Sequence, residues 1–330
     1  MRFEAFTEGK NLDHPEANED ALLILPGRGF AVIDGVTDIS GREVDGMRTG
    51  RLASGVVQRA TAEFLCNPAV ADAEASLLIE SVSKGLRNVY TRLGILDDAR
   101  ADPTRRFGAT LTLAIDRGST FRFILVGDSG LRLNGEEVVV IDDGLDRVTA
   151  SLRQAAYRWV ADAGGDLDAQ RSVGRLCSFY GIASLHSGMR PWLDEAHLGT
   201  LRDRCLAACK ARFPSAPEEH LMRLLDRGIS GQTWFQNNLR GPFSYSVVDG
   251  FEIPEKLVRV IDRRRESLQT IELYTDGYFK VSSEPSVASW ESAFEEVERV
   301  DPEKLGEYMS VKGSSDRMRT DDRTVVIAHL

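Results

Sequence analysis

The feature that most limits what this chain can fold into is an apolar run that stops at a carboxylate. Phe30-Ala31-Val32-Ile33 reads as a buried strand, and it ends at Asp34-Gly35, followed by Val36-Thr37-Asp38. An Asp-Gly pair closes many ordinary strands in a turn, so alone it says little. The arrangement recurs, each time with an acid at the edge of strand-like sequence. Glu19-Asp20 runs into Ala21-Leu22-Leu23-Ile24-Leu25, and residues 120–126 end at Gly127-Asp128-Ser129. Ile271-Glu272-Leu273-Tyr274-Thr275 ends at Asp276-Gly277, and Asp321-Asp322-Arg323-Thr324 opens Val325-Val326-Ile327-Ala328. Separate strand mouths that each carry an acid imply one acidic cleft.

The remaining pattern supplies the scaffold. Residues 2–7 form a short strand, and Pro26-Gly27-Arg28-Gly29 is a turn that makes 21–25 and 30–34 an antiparallel hairpin. Residues 47–66 read as a helix with Leu52, Val56, Ala60 and Phe64 on one stripe. A second helix, about 76–93, presents Leu78, Val82, Leu86, Val89 and Tyr90. Strands follow at 108–115 and 120–126, then a hairpin whose Asn134-Gly135 tip is a type I′ turn signal. From about 146 to 240 strand patterns vanish, and helices are expected at 152–160, 169–184, 193–213 and 217–227. This segment reads as a helical insertion or lid in a single domain spanning 1–330. Afterwards, 243–248 and 271–275 read as strands, 257–268 is basic, with Arg263–Arg265 read as a solvated helix face or a contact for phosphate or an acidic partner, and 287–298 and 302–311 read as acidic helices.

Composition excludes several classes. A formal charge of −10 argues against nucleic acid or an anionic membrane as partner, since both call for a basic surface. No apolar run is long enough to span a bilayer. The four cysteines, Cys66, Cys177, Cys205 and Cys209, show no CxxC spacing, and the N-terminus carries no signal-peptide pattern. A reduced, cytoplasmic protein is expected.

Crowded carboxylates repel one another, and burial raises their pKa. Divalent cations relieve both penalties. Oxygen-only ligands with a backbone carbonyl suit Mg²⁺ or Mn²⁺, and no His or Cys cluster competes for zinc. Two such ions can bridge a water and lower its pKa, giving a hydroxide that attacks phosphorus in line. The residues alone therefore point to metal-assisted hydrolysis of a phosphate ester.

The order Asn18-Glu19-Asp20, Asp34-Gly35, Gly108-Ala109-Thr110, Gly127-Asp128-Ser129, Thr275-Asp276-Gly277 and Asp321-Asp322-Arg323-Thr324-Val325 resembles the metal-dependent protein phosphatases, the type 2C Ser/Thr phosphatase family, in its bacterial branch. The matching stretches cover roughly 10–145 and 243–330. The resemblance implies an α+β fold, a central antiparallel β-sandwich flanked by helices (α-β-β-α), with the metals at one end. It implies two Mn²⁺ or Mg²⁺ ions, with a weaker third site occupied only in some members. Asp34 would bridge both metals and Gly35 would give its carbonyl to one. Asp276 and Asp321 would bind one metal, Glu19 would hold the other through water, and Asp20 would support the cluster. Asp128 would join Asp276 at the third site. Catalysis would fall on Asp34 and Asp276, and the partner would be a phosphorylated protein or a small phosphorylated substrate.

Four departures stand out. The family's Gly-Gly pair after Asp-Gly is Thr37-Asp38 here, and Asp38 either caps a following helix or contributes to the metals. Val36 stands where eukaryotic members carry a His proposed to protonate the leaving group. Pro15 stands where the family has its phosphate-gripping Arg; Lys10, Arg105 and Arg106 are substitutes, although each also reads as a solvated surface charge. Gly130 and Arg132 follow Gly-Asp-Ser where an Arg often comes next. Retained acids favour a phosphatase of phosphoserine or phosphothreonine in proteins. Pro15 and Val36 leave open a pseudophosphatase that binds without turnover, and Pro15 leaves open a phosphatase of a small metabolite.

Overall fold

The computed structural model describes residues 1–38, 40–67, 73–141 and 144–330. The chain divides into two compact units. The first comprises Met1–Ile141, Tyr245–Arg299 and Asp316–Leu330; the second comprises Asp142–Ser244 and Val300–Ser315.

In chain order the elements begin with β1 (Arg2–Glu8), β2 (Ala21–Leu25), β3 (Gly29–Ile33) and the short pair β4 (Glu43–Val44) and β5 (Met47–Arg48). Helices α1 (Thr49–Cys66), α2 (Ala75–Arg92) and α3 (Leu96–Ala101) precede β6 (Leu111–Asp116), β7 (Thr120–Val126), β8 (Gly130–Leu133) and β9 (Glu137–Val139). Then come α4 (Leu145–Asp162), α5 (Leu167–Tyr180), α6 (Glu195–Arg212) and α7 (Glu218–Arg227). The chain ends with β10 (Arg259–Arg264), β11 (Thr270–Tyr274), α8 (Val287–Val300) and β12 (Arg323–His329).

The first unit is a sandwich. One sheet has the order β1-β12-β11-β8-β9 and the other β10-β7-β6-β3-β2, with every named pairing antiparallel. Side chains alternate between the two faces of a strand, and β3 shows why its sequence is apolar throughout. Phe30 and Val32 enter the core between the sheets, against Leu131, Ile271, Leu273 and Val326. Ala31 and Ile33 face the other way, into the layer formed with α1 and α2 through Val56, Leu78, Val82 and Leu86. On the outer face of the other sheet, Tyr274, Val325 and Ile327 pack with Trp290 and Phe294 of α8. The layers are therefore helices, sheet, sheet, helix. A buried ion pair fixes α8: Arg132 Nε donates to Glu272 Oε1 at 2.8 Å, and Trp290 Nε1 donates to Glu272 Oε2 at 2.8 Å.

The expected hairpin pairs Ala21 with Ile33, and the Asn134-Gly135 tip takes the positive φ values, 54° and 72°, that a type I′ turn requires. Three expectations fail. Residues 243–248 are not a strand but hold isolated bridges, one of them from Val248 to Ala109. The basic stretch at 257–268 is not a helix face: it contains β10, paired with β7, with Asp262 taking both arms of Arg122 at 2.9 Å. No helix forms at 302–311. Asp301 instead accepts from the backbone N–H groups of Leu305, Gly306 and Tyr308, at 2.9, 2.9 and 3.2 Å. Buried Arg153 takes the Glu303 carbonyl at 2.7 Å.

The second unit is helical. Asp166 caps α5 through Ala169 N–H at 2.8 Å, and Asp194 with His197 forms a capping box on α6. Cys177, Cys205 and Cys209 are buried thiols there, and burial pushes Cys177 and Cys205 up to about 12.

Candidate metal centre

Each acidic segment lies where one of the first unit's strands begins or ends, and hydrogen bonds between these segments define its position. Asn18 makes a local turn before β2: its side-chain oxygen accepts from Asp20 N–H at 2.9 Å, while its Nδ2 donates to Thr7 Oγ1 at 2.9 Å. The Gly108-Ala109-Thr110 stretch carries the β3–β6 pairing past the strand end. Thr110 N–H donates to the Asp34 carbonyl at 2.8 Å, Gly35 bridges to Ala109, and Val36 N–H donates to the Gly108 carbonyl at 2.9 Å. Thr110 Oγ1 lies 2.8 Å from Ser129 Oγ, which ties Gly127-Asp128-Ser129 to the same support. Gly277 is required by packing: a Cβ there would sit 2.0 Å from the Asp322 carbonyl oxygen.

The acids differ sharply in environment. Glu19 and Asp20 are each 1% exposed, Asp34, Asp276 and Asp321 are half-buried, and Asp128 is exposed at the rim. Asp20 Oδ2 accepts from Thr275 Oγ1 at 2.8 Å and from Thr324 Oγ1 at 2.7 Å. Its Oδ1 has no hydrogen-bond partner, and neither does Glu19 Oε1. A buried carboxylate oxygen left unpaired is costly, so both atoms mark places where positive charge is missing. Burial, then the negative charge of Asp322, pushes Asp20 above the usual carboxylate range. Burial, then Asp20, Asp321 and Asp128, does the same to Asp34, with Lys10 opposing. Asp276 also raises Asp20. The acids at 20, 34, 128, 276, 321 and 322 thus share one electrostatic neighbourhood.

Lys10 overturns its reading as a surface charge. It is 8% exposed, and its Nζ lies 3.1 Å from Glu19 Oε2, 2.9 Å from Asp321 Oδ1, 3.0 Å from Asp322 Oδ2 and 3.0 Å from Thr37 Oγ1. Burial works against its charge, but Asp321, Asp322 and Glu19 outweigh this and hold it protonated. Asp322, outside the expected ligand set, stitches the backbone: it accepts from Lys10 N–H at 2.7 Å and from Glu19 N–H at 3.3 Å. Thr37 Oγ1 in turn donates to Glu19 Oε2 at 2.8 Å.

Other candidates stand apart. Arg105 pairs with Asp98 at 2.7 Å and Arg106 with Asp249 at 3.0 Å, so these two expected substitutes for a phosphate-gripping Arg are engaged elsewhere, and Arg132, two residues past Gly130, is held by Glu272. Asp38 caps no helix; it accepts from Ser40 N–H at 2.8 Å and Arg42 Nε at 3.0 Å in a local turn. Val36 is 45% exposed. Gly50, at the start of α1, had no signal in the sequence. A Cβ there would lie 2.5 Å from Glu19 Oε1 and 2.9 Å from the Gly35 carbonyl oxygen, so only glycine leaves the cradle open.

The donor chemistry fits a hard divalent cation: carboxylates, a backbone carbonyl at Gly35, and two unpartnered buried oxygens. As the side chains stand, no group of three or more His, Cys, Asp or Glu among the described residues could hold a metal ion. Glu19, Asp321 and Asp322 instead lie against the ammonium of Lys10.

No family model matches the sequence, and no curated protein matches it. Solved structures similar to this chain include a Mycobacterium tuberculosis serine/threonine phosphatase, PstP/Ppp, at 17% identity and TM-score 0.42, covering 100% of this chain and 98% of that one. Another is the Staphylococcus aureus serine/threonine phosphatase Stp1, at 13% identity and TM-score 0.46, covering 100% and 95%. A third is PppA, a regulatory component of the type VI secretion system in Pseudomonas aeruginosa, at 14% identity and TM-score 0.43, covering 100% and 97%. The α+β sandwich is defined by this chain's own two sheets and flanking helices. No helix among the described residues is long and apolar enough to cross a membrane.

Proposed function

We propose that this chain is a metal-dependent hydrolase of phosphate monoesters. Within that class we propose a cytoplasmic serine/threonine protein phosphatase that takes Mn²⁺ or Mg²⁺. The observation that carries this reading is the surplus of acid over cation at the strand ends. Glu19, Asp321 and Asp322 share the ammonium of Lys10, Asp20, Asp34 and Asp276 lie in the same electrostatic neighbourhood, and Glu19 Oε1 and Asp20 Oδ1 are buried without a partner.

Asp34, the Gly35 carbonyl, Asp20 and Asp276 would hold the ions, with Asp128 at the rim. Divalent cations there would lower the pKa of a bound water and neutralise charge on a phosphoryl group. The chain's own residues prepare the place. Thr275 and Thr324 fix the orientation of Asp20, and Thr110 anchors the backbone at Asp34. Val36 carries no ionisable group, so solvent would protonate the leaving oxygen.

A specific observation favours a second reading, a pseudophosphatase. Three of the acids already pair with Lys10, which would disfavour turnover while leaving a cleft that binds. The test is hydrolysis of p-nitrophenyl phosphate by purified protein with Mn²⁺, Mg²⁺ or EDTA, followed by phosphoserine and phosphothreonine peptides. Metal-dependent release that EDTA abolishes supports the phosphatase, and activity on the aryl ester alone favours a small-molecule substrate. No release under any metal condition overturns the enzyme reading.

A further inference from the structure

We infer that Lys10 is a built-in cation standing in the place of one divalent ion, so that this centre holds one ion fewer than its carboxylates would otherwise accept. This deepens the metal-centre reading above and rests on it.

The geometry of the ammonium carries the inference. An ammonium has three protons to donate. Lys10 Nζ has four oxygen neighbours, between 2.9 and 3.1 Å away: Glu19 Oε2, Thr37 Oγ1, Asp321 Oδ1 and Asp322 Oδ2. More acceptors than protons, three of them carboxylates, is the surrounding of a coordinated cation rather than of an ordinary surface lysine. The stem is also pinned at its root. Lys10 N–H donates to Asp322 Oδ1 at 2.7 Å, and the Lys10 carbonyl accepts from Arg319 N–H at 2.8 Å. The same residue, Asp322, therefore grips both ends of Lys10.

Thr37 makes the seat specific. Its hydroxyl accepts from the ammonium at 3.0 Å and donates to Glu19 Oε2 at 2.8 Å, completing a ring of lysine, threonine and glutamate. A glycine at that position would leave the ring open. Phosphate gripping is a poor alternative for this lysine. Its protons are spent on acids, and a phosphate dianion approaching it would meet three carboxylates.

One ammonium supplies one positive charge to three carboxylates. Glu19 Oε1 and Asp20 Oδ1 remain unpartnered in the buried interior of the centre. The remaining deficit lies toward Asp20 and Asp34, so a cation still has a place there, while the Glu19–Asp321–Asp322 side is taken.

The experiment compares Mn²⁺ binding to metal-stripped wild type and to Lys10→Met, which keeps the stem and removes the charge. Stoichiometry comes from equilibrium dialysis and affinity from calorimetry, with circular dichroism to check folding. Lys10→Met is expected to bind one Mn²⁺ more per chain than wild type, and to bind the shared ion at least about tenfold more tightly because a neighbouring like charge is gone. Thr37→Val keeps the charge but loosens its seat, and is expected to fall between the two. It also covers the case in which Lys10→Met does not fold. Equal stoichiometry with affinities within threefold for wild type and both variants would overturn the role of Lys10 and leave the metal centre standing. No Mn²⁺ binding by any of the three would overturn the metal centre itself.

Discussion

Replacing Thr275 by Val tests how the centre keeps a buried carboxylate in place. The two side chains are nearly the same size, so the change removes a hydroxyl and little else. Thr275 Oγ1 donates to Asp20 Oδ2 at 2.8 Å and accepts from Thr324 N–H at 2.8 Å. The first bond goes to a carboxylate, and its loss costs about 1.5–3 kcal/mol. The second loss strands a buried N–H, for about 1–3 kcal/mol more. The added methyl returns about 0.8 kcal/mol. A net destabilisation of about 2–5 kcal/mol is expected for the metal-free protein. Thr324 Oγ1, at 2.7 Å, remains as the other donor to Asp20 and prevents complete loss of the site. The assay is urea unfolding in EDTA, read from the transition of the sandwich unit, and repeated in saturating Mn²⁺. A change smaller than about 0.5 kcal/mol in EDTA, the scale of an ordinary surface substitution, would refute the role given to Thr275.

Asp34→Asn should lower metal-dependent hydrolysis of p-nitrophenyl phosphate by at least about a hundredfold while circular dichroism stays unchanged, because the Asp34 backbone keeps its bond to Thr110. Gly50→Ala should destabilise by about 1–3 kcal/mol in thermal or urea unfolding, although alanine is the better helix former; a stabilised variant would contradict the close approach of Gly50 to Glu19 and Gly35. Arg132→Met should cost about 3–5 kcal/mol by leaving Glu272 buried and uncompensated, and adding Glu272→Leu should recover most of it in a double-mutant cycle.

The sandwich was legible where strands are buried on both faces or alternate cleanly. Phe30 to Ile33 fill two layers at once, and an apolar run is the direct trace of that. The Asn134-Gly135 turn was legible because few residues tolerate two positive φ values in succession. The stretch at 257–268 misled because its arginines suggested a helical face, whereas Arg259, Arg263 and Arg264 belong to an edge strand whose partner, β7, lies far away in sequence. At 302–311 the acidic pattern looked helical, but the Asp301 side chain captures three backbone N–H groups and breaks the ladder. Acids at the ends of strands pointed to the centre, and the structure gathers them into one neighbourhood. Lys10 was named only as a candidate for gripping phosphate, and its seat among the acids was invisible for a reason of register. Its place beside Asp321 and Asp322 follows from Glu8 pairing with Arg323 across β1 and β12, and no local pattern announces that pairing. Thr37 looked like a departure from a glycine, and its role is visible only beside Lys10 and Glu19.

The most direct measurement is anomalous diffraction at the manganese edge from crystals of the wild-type chain grown with Mn²⁺. Manganese should lie among Asp20, Asp34, the Gly35 carbonyl and Asp276, with the Lys10 ammonium still against Glu19, Asp321 and Asp322. A map with no manganese at those residues under saturating Mn²⁺ would contradict a metal centre in this protein.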